Sequence, residues 1–109
     1  RYTYGCIEAT GDFTVNVPAP GMDRVAMICG TRSGRETDKF AKCNLTAIPG
    51  KHVKSPTIAE CEICYECKIV NYEDIRAGHL AEEIMQSAYP NGDLHRVYYG
   101  EILETFAEK

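Results

Sequence analysis

The chain has 109 residues, 44% of them hydrophobic and 26% charged, with a formal net charge of −4. This length suits a single domain, and an acidic balance without a Lys/Arg block argues against a nucleic-acid partner. No apolar run approaches the roughly 20 residues of a membrane span and no signal-peptide pattern is present, so we expect a cytoplasmic protein without membrane contact. The six cysteines are interpreted as thiols of a reducing compartment.

The first third of the chain predicts two short helices around one strand. Residues 3–10 read as a helix with Thr3 as its N-cap and Gly11 just beyond its end. Apolar and polar residues alternate over 13–17, which predicts a strand. An apolar stripe over 23–30 predicts the second helix.

A densely charged segment follows at residues 33–46, before a Pro-Gly turn. It predicts a glycine turn and a short polar helix that Asn44 is suited to end, with Phe40 and Leu45 available to dock it. Charged runs usually face water, so a solvated connector is one interpretation. A surface that meets an anionic ligand is the other, and the segment alone leaves both open.

The second half of the chain predicts two long strands. Period-2 alternation over residues 57–70 indicates a long half-buried strand. A short helix is predicted to open at Asp74 or His79 and to end at the Pro-Asn-Gly turn of 90–92. Strand character returns over residues 95–106.

Three cysteines in C-x-x-C-x-x-C spacing, Cys61, Cys64 and Cys67, are a candidate metal motif. A straight strand would place Cys61 and Cys67 roughly 20 Å apart on one face, with Cys64 on the other. Thiolates must lie about 2.3 Å from a shared zinc ion, which that geometry forbids. We therefore expect two core thiols and one outward thiol, and no metal site.

The remaining polar candidates are scattered. The three histidines are too far apart in the sequence to indicate a metal site: His52 and His95 are most simply surface residues, and His79 lies in a stretch without a clear pattern. No Ser-His-Asp or Cys-His nucleophile can be assembled, so no catalytic side chain is predicted. At the N-terminus, a helix start beside Arg1 and the Thr3 hydroxyl would suit a phosphate group. Taken alone, the same residues also fit an ordinary N-cap with an arginine nearby.

Eight ordered landmarks extend across nearly the whole chain. They are Arg1-Tyr-Thr-Tyr, Gly11-Asp-Phe-Thr-Val-Asn-Val-Pro18, Cys29-Gly30, Ser33-Gly-Arg-x-x-Asp-Lys-Phe40, Leu45-Thr46, Pro56-x-Ile-x-Glu-Cys61, Glu66-Cys67 and Gly92-Asp-x-His95 leading to Gly100-Glu-Ile102. Together they resemble the flavin reductase-like, FMN-binding split-barrel family, in particular its flavoredoxin branch. No single landmark is diagnostic, and the resemblance rests on their order.

This resemblance implies a mainly β fold with short helices, a six-stranded antiparallel Greek-key split barrel. Residues 1–109 would form a single flavin reductase-like domain, the C-terminal portion of that fold. The implied function is an FMN-binding oxidoreductase of the NAD(P)H:flavin oxidoreductase type. It would pass electrons from NAD(P)H or a redox partner protein to flavin or another acceptor, usually as a homodimer.

The resemblance also implies the binding residues. Arg1 and Thr3, with Tyr2 between them, correspond to the segment that holds the FMN phosphate. Lys39 corresponds to the lysine that reaches the flavin, and His95 to the histidine at the isoalloxazine. Leu94 separates Asp93 from His95, whereas many family members read Gly-Asp-His directly.

Family members usually also have N-terminal barrel strands and a longer C-terminus, which this chain lacks. We therefore expect an incomplete barrel, whose sheet edges something must cover. The rival hypothesis is a truncated split-barrel interaction module that binds no flavin.

Overall fold

The computed structural model describes residues 2–31 and 39–107, and the side chains of Tyr2, Thr31 and Lys39 lie outside the description. No helix within these ranges is long and apolar enough to cross a bilayer. In chain order the elements are α1 (Tyr2–Thr10), β1 (Asp12–Val17), α2 (Asp23–Thr31), α3 (Lys39–Lys42), β2 (Ala47–Ile48), β3 (Thr57–Ile58), β4 (Ile63–Asp74), a 3₁₀ turn (Ala77–His79), α4 (Glu82–Ala88) and β5 (Arg96–Ala107).

Two antiparallel sheets organise the chain. The larger has the order β1-β4-β5, with Phe13 opposite Cys67 and Cys64 opposite Phe106. The smaller pairs β2 with β3. The prediction of a mainly β fold with short helices is confirmed. Across the described residues the sheets stay open, as expected of part of a split barrel, and do not close into a six-stranded barrel.

The predicted strand of residues 57–70 is two strands separated by a turn. Residues 59–62 bend, and the N–H of Cys61 donates to the carbonyl of Ile58 at 3.1 Å. The prediction that the strand runs unbroken from Thr57 is therefore wrong, and Cys61 lies in the bend. Alternation alone could not reveal this break, because the residues of the turn continue the same polar and apolar pattern.

The first part of the central strand β4, residues 63–67, is covered on both faces, which corrects the prediction for Cys64. Cys64, Glu66 and Cys67 are all buried. β4 lies between β1 and β5, and a loop over residues 50–55 covers the face that carries Glu66. Cys64 is therefore a buried core thiol on the face of β4 opposite to Cys67, and the expected outward-facing thiol is absent from this strand.

The loop of residues 50–55 is held by two buried carboxylates. Asp12 accepts hydrogen bonds from the backbone N–H groups of Lys54 (2.8 Å) and Ser55 (3.1 Å) and from the Ser55 hydroxyl (2.6 Å). Glu66, 2% exposed, accepts from the backbone N–H groups of Lys51 (2.9 Å) and His52 (2.7 Å). The carboxylates thus replace a strand partner for this stretch of backbone.

Helix ends follow the sequence signals more closely than helix starts do. Gly11 adopts φ 73° and its N–H donates to the Ile7 carbonyl at 2.8 Å, which confirms the predicted end of α1. Asn44 adopts φ 54° after α3, as predicted. α1 already includes Tyr2, so the N-cap role predicted for Thr3 is wrong.

Residues 71–94 begin as strand and become helical later than predicted. Asp74 ends β4, and His79 lies in the 3₁₀ turn, so neither opens the helix. α4 begins at Glu82 after Ala81 in extended conformation. Gly92, at φ 72°, donates its N–H to the Tyr89 carbonyl at 3.0 Å, which confirms the turn.

Gly100 on β5 provides space for an aromatic ring, and we expect Gly100→Ala to destabilise the fold. An added Cβ would meet the Phe13 ring (Cζ, and Cε1 at 2.8 Å) and the Cys67 Cβ at 3.1 Å. Overpacking of this kind lowers the free energy of unfolding by about 1–3 kcal/mol. Because the Phe13 ring can shift to relieve the contact, we expect a loss of about 1 kcal/mol. Urea unfolding measures this loss of stability, and Gly78→Ala is the control because no atom lies within 4 Å of a Cβ built at that position. Equal stability of the two variants would contradict this packing.

Candidate functional site

A pocket of about 430 Å³ lies where the start of α1 meets the start of β5. Both elements contribute to its wall, together with the end of β4 and the loop before β5. The lining residues are Thr3, Tyr4, Ile7, Asp74, Asp93, Leu94, His95, Arg96 and Tyr98. The pocket therefore combines hydroxyl, imidazole, aromatic, apolar and charged groups.

Two of the five predicted site residues meet in this pocket. Thr3 comes from the N-terminal helix and His95 from the loop before the last strand, yet both line it. Arg1 lies outside the described residues, as do the side chains of Tyr2 and Lys39. Tyr2 begins α1 and Lys39 begins α3. The glycine turn predicted over 33–38 also lies outside the description.

His95 is oriented by Tyr89. The Tyr89 hydroxyl lies 2.7 Å from Nδ1 of His95, and the two rings meet edge to face with centroids 5.3 Å apart. The turn after α4, closed at Gly92, brings Tyr89 back to the histidine. If the phenol donates to Nδ1, the neutral ring carries its proton on Nε2, where it can donate a second hydrogen bond.

Arg96 links three elements beside the pocket. Its guanidinium donates to both carboxylate oxygens of Asp74 (2.6 and 3.2 Å) and to Glu8 on α1 (3.2 Å). The same group lies 4.1 Å from the centroid of the Tyr72 ring. Sequence reasoning missed this cluster because its partners come from α1, β4 and β5. The available signal was an arginine directly after His95.

Two ionisable side chains beside Arg96, Asp74 and Tyr98, have shifted pKa values. Hydrogen bonding to Arg96 lowers the pKa of Asp74 below its ordinary value, so this carboxylate stays ionised at neutral pH. Burial and the hydrogen bond to Glu8 raise the pKa of Tyr98 to about 12. The Tyr98 hydroxyl donates to Glu8 at 2.7 Å, so the phenol remains protonated and helps to hold α1 against β5.

A second pocket, of about 320 Å³, lies on the other side of β4. Its wall includes Cys61, Cys64, Lys51 and Phe106, and the Lys51 ammonium lies 4.9 Å from the centroid of the Phe106 ring. All six cysteines are thiols. Within residues 2–31 and 39–107, no three His, Cys, Asp or Glu side chains are placed to hold a metal ion.

Several known proteins are similar to this chain, among them one in sequence and two in three-dimensional structure. An uncharacterized protein of Archaeoglobus fulgidus is 39% identical over 70 residues, covering 64% of this chain and 40% of that protein. Flavoredoxin of Desulfovibrio vulgaris (Miyazaki F) is 30% identical with a TM-score of 0.75, covering 99% of this chain and 48% of that one. Flavoredoxin from Methanosarcina acetivorans is 27% identical with a TM-score of 0.73, covering 100% and 48%.

The chain thus spans about half the length of these flavoredoxin structures and 40% of the archaeal relative. The family resemblance of the ordered landmarks is confirmed over almost the whole chain, since residues 1–108 match the model of the flavin reductase like domain. The chain belongs to the flavin reductase like domain family.

Proposed function

We propose that this chain forms part of an FMN-binding oxidoreductase of the flavin reductase or flavoredoxin type. Residues 1–109 would be a single domain, the C-terminal portion of the usual fold. The observation that carries the proposal is the pocket in which Thr3 and His95 meet from opposite ends of the chain. Its volume lies within the range of about 300–1,000 Å³ typical of ligand pockets.

The pocket residues fit the two chemically different ends of FMN. At the start of α1, the Thr3 hydroxyl and the unpaired N–H groups of the first turn suit a phosphate, and Arg1 would supply the positive charge. Tyr2 belongs to the same segment. Tyr4, Ile7 and Leu94 provide the apolar and aromatic surface that a planar ring system needs.

His95 and Lys39 would serve the isoalloxazine end. His95, held by Tyr89, would donate a hydrogen bond through Nε2. Lys39 would place a cation near the ring, where positive charge favours the anionic reduced form. Arg96 neutralises acidic groups at the pocket through its bonds to Asp74 and Glu8, which limits their repulsion of an anionic ligand.

Bound FMN would supply the electron-transfer chemistry, which is why no catalytic acid or nucleophile is required of this chain. The electron donor in the proposal is NAD(P)H or a redox partner protein, and the acceptor is flavin or another molecule. We propose a cytoplasmic homodimer as the working form. The similarity to two flavoredoxins above 25% identity supports the flavoredoxin branch.

We expect Thr3→Ala and His95→Gln each to weaken FMN binding by about tenfold. A hydrogen bond to the charged phosphate is worth about 1.5–3 kcal/mol and one to the neutral ring about 0.5–1.5 kcal/mol, and 1.4 kcal/mol is a factor of ten in Kd, so tenfold is the lower end for Thr3 and the upper end for His95. Titration of the full-length protein with FMN, followed by quenching of flavin fluorescence, measures the change. Thr105→Ala and His79→Gln are matched controls, since both residues are exposed and neither lines the pocket.

The same titration separates the proposal from its rival, an interaction module that binds no flavin. Saturable binding that both pocket variants weaken and both controls retain supports the oxidoreductase. A well-folded full-length protein that elutes as a dimer and shows no saturable FMN binding supports the interaction module instead. Unchanged affinity in Thr3→Ala and His95→Gln would reject those two residues as ligands.

A further inference from the structure

We propose that Cys61 and Cys64 form a redox-active dithiol that exchanges with small-molecule disulfides entering the pocket on their side of β4. The C-x-x-C motif that these residues form has no role in the proposed flavin site. Both cysteines line the pocket of about 320 Å³, whereas Cys67 does not. The inference is independent of FMN binding.

The bend at residues 59–62 is what brings the two thiols to the same pocket. In a straight strand, residues three apart point to opposite faces. Here the N–H of Cys61 donates to the Ile58 carbonyl at 3.1 Å, and the thiol of Cys64 approaches that same oxygen at 3.6 Å. One carbonyl therefore holds both cysteines, and each is only 7% exposed.

Burial and neighbouring groups also alter the ionisation of the Cys61 thiol. Burial raises the pKa of Cys61 most, and the neighbouring Cys64, Glu60 and Cys29 raise it further. The thiolate is the attacking species in disulfide exchange, so a raised pKa slows the reaction at neutral pH. Cys61 thus differs from a surface thiol, since its exchange is slowed at neutral pH and needs access through the pocket.

The pocket admits a small, largely uncharged disulfide. Its wall is mainly apolar, with Ile48, Pro49, Ile58 and Phe106 contributing carbon surface. Of the three charged residues in its wall, Lys51, Glu62 and Glu66, the last is already paired with two backbone N–H groups. The chemistry therefore favours a neutral R–S–S–R molecule with short substituents over a charged peptide disulfide.

The reaction balances without a further reagent. One cysteine thiolate attacks a sulfur of R–S–S–R, so a mixed disulfide forms and the first R–S⁻ leaves and takes up a proton. The second cysteine attacks the protein sulfur of the mixed disulfide and releases the second R–S⁻, which is also protonated. Overall the dithiol loses two electrons and two protons, and R–S–S–R gains them to become two R–SH molecules.

The test uses the full-length protein with hydroxyethyl disulfide as the probe, near pH 8.5, the ordinary pKa of a cysteine thiol. After alkylation of remaining thiols, cleavage at glutamate separates Cys61 from Cys64 at Glu62, and Cys64 from Cys67 at Glu66. We expect a mass loss of two hydrogen atoms and a disulfide that joins the Cys61 peptide to the Cys64 peptide.

Single variants test the order of the steps. In Cys61→Ser or Cys64→Ser, the remaining thiol has no resolving partner, so we expect a stable mixed disulfide that carries one hydroxyethylthio group. Cys67→Ser is the matched control, because Cys67 is buried on β4 but lies outside this pocket. That variant should still form the Cys61–Cys64 bond to the wild-type extent.

Cys6 reports whether the probe works, since this thiol is exposed. Modification of Cys6 without any Cys61–Cys64 bond in the wild-type protein would overturn the proposal. A bond from Cys61 to Cys29 or Cys67 in place of Cys64 would overturn it equally. These outcomes are read from the wild-type protein, so they stand even where a variant fails to fold.

Discussion

Replacing Asp12 with alanine is expected to lower the free energy of unfolding by about 3 kcal/mol. Asp12 is 7% exposed and accepts three hydrogen bonds from Lys54 and Ser55. Removal of a buried acceptor leaves each donor unsatisfied at a cost of about 1–3 kcal/mol, part of which water recovers in a loop. Urea unfolding at neutral pH measures the loss, and Glu73→Ala serves as an exposed carboxylate control.

The contribution of Asp12 to the free energy of unfolding should also depend on pH. Burial acts to raise the pKa of Asp12, but the hydrogen bonds from the Ser55 hydroxyl and the Lys54 and Ser55 amides outweigh burial and lower it. A lowered folded-state pKa means that the stabilisation is complete above the unfolded-state pKa of about 3.9 and is lost as pH falls through the folded-state value.

The isosteric variant Asp12→Asn separates charge from shape. We expect its difference in stability from the wild-type protein to be constant at neutral pH and to shrink as pH falls below about 3.9, where the unfolded wild-type chain binds a proton at Asp12 before the folded protein does. A difference that stays the same down to the acid transition would show that Asp12 is not an ionised acceptor. Stability of Asp12→Ala equal to that of the wild type would remove its role in holding the loop.

The second large effect is expected from Arg96→Ala, which should weaken FMN binding by tenfold or more in the full-length protein. The described part of α1 has few buried side chains, and two of its bonds to β5 run through Glu8, to Arg96 and Tyr98. Without Arg96, the helix that carries Thr3 is less firmly positioned, and Asp74 and Glu8 remain as uncompensated negative charges. At metal sites, residues that hold a ligand-binding side chain in position contribute on the order of tenfold to the affinity.

Fluorescence titration with FMN measures the effect of Arg96→Ala, and a circular-dichroism spectrum checks that the fold persists. Arg24→Ala is the matched control, since Arg24 is exposed on α2 and does not line the pocket. Arg96→Lys adds a second control. Lysine keeps the charge but cannot form the forked pair with Asp74, so we expect an intermediate affinity. Wild-type affinity in Arg96→Ala would exclude a positioning role.

Local sequence patterns predicted the elements whose residues interact mainly with their neighbours in the chain. The end of α1 follows from Gly11, and β5 follows from the apolar spacing of residues 95–106, because both signals are local. The break between β3 and β4 had no local signal. Its position is set by long-range pairing, in which the N–H of Glu62 donates to the carbonyl of Val17 at 2.9 Å.

The candidate site divides in the same way. Thr3 and His95 were identified from the sequence through ordered family landmarks, since each occupies a recognisable motif. Tyr89, Arg96 and Glu8 were not, because their importance arises from contacts between separate elements. No periodicity in the sequence encodes such a contact.

The sequence by itself determined the family, the mainly β class, the short helices with their glycine and asparagine ends, and two residues of the pocket. These depend on backbone preferences and on motif order, which a linear pattern carries. Tertiary structure decided that residues 63–67 of β4 are covered on both faces, that Cys61 and Cys64 share a pocket, and that Asp12 and Glu66 hold a loop. Burial and pairing depend on which distant segments pack against a residue, so they follow only from the folded arrangement.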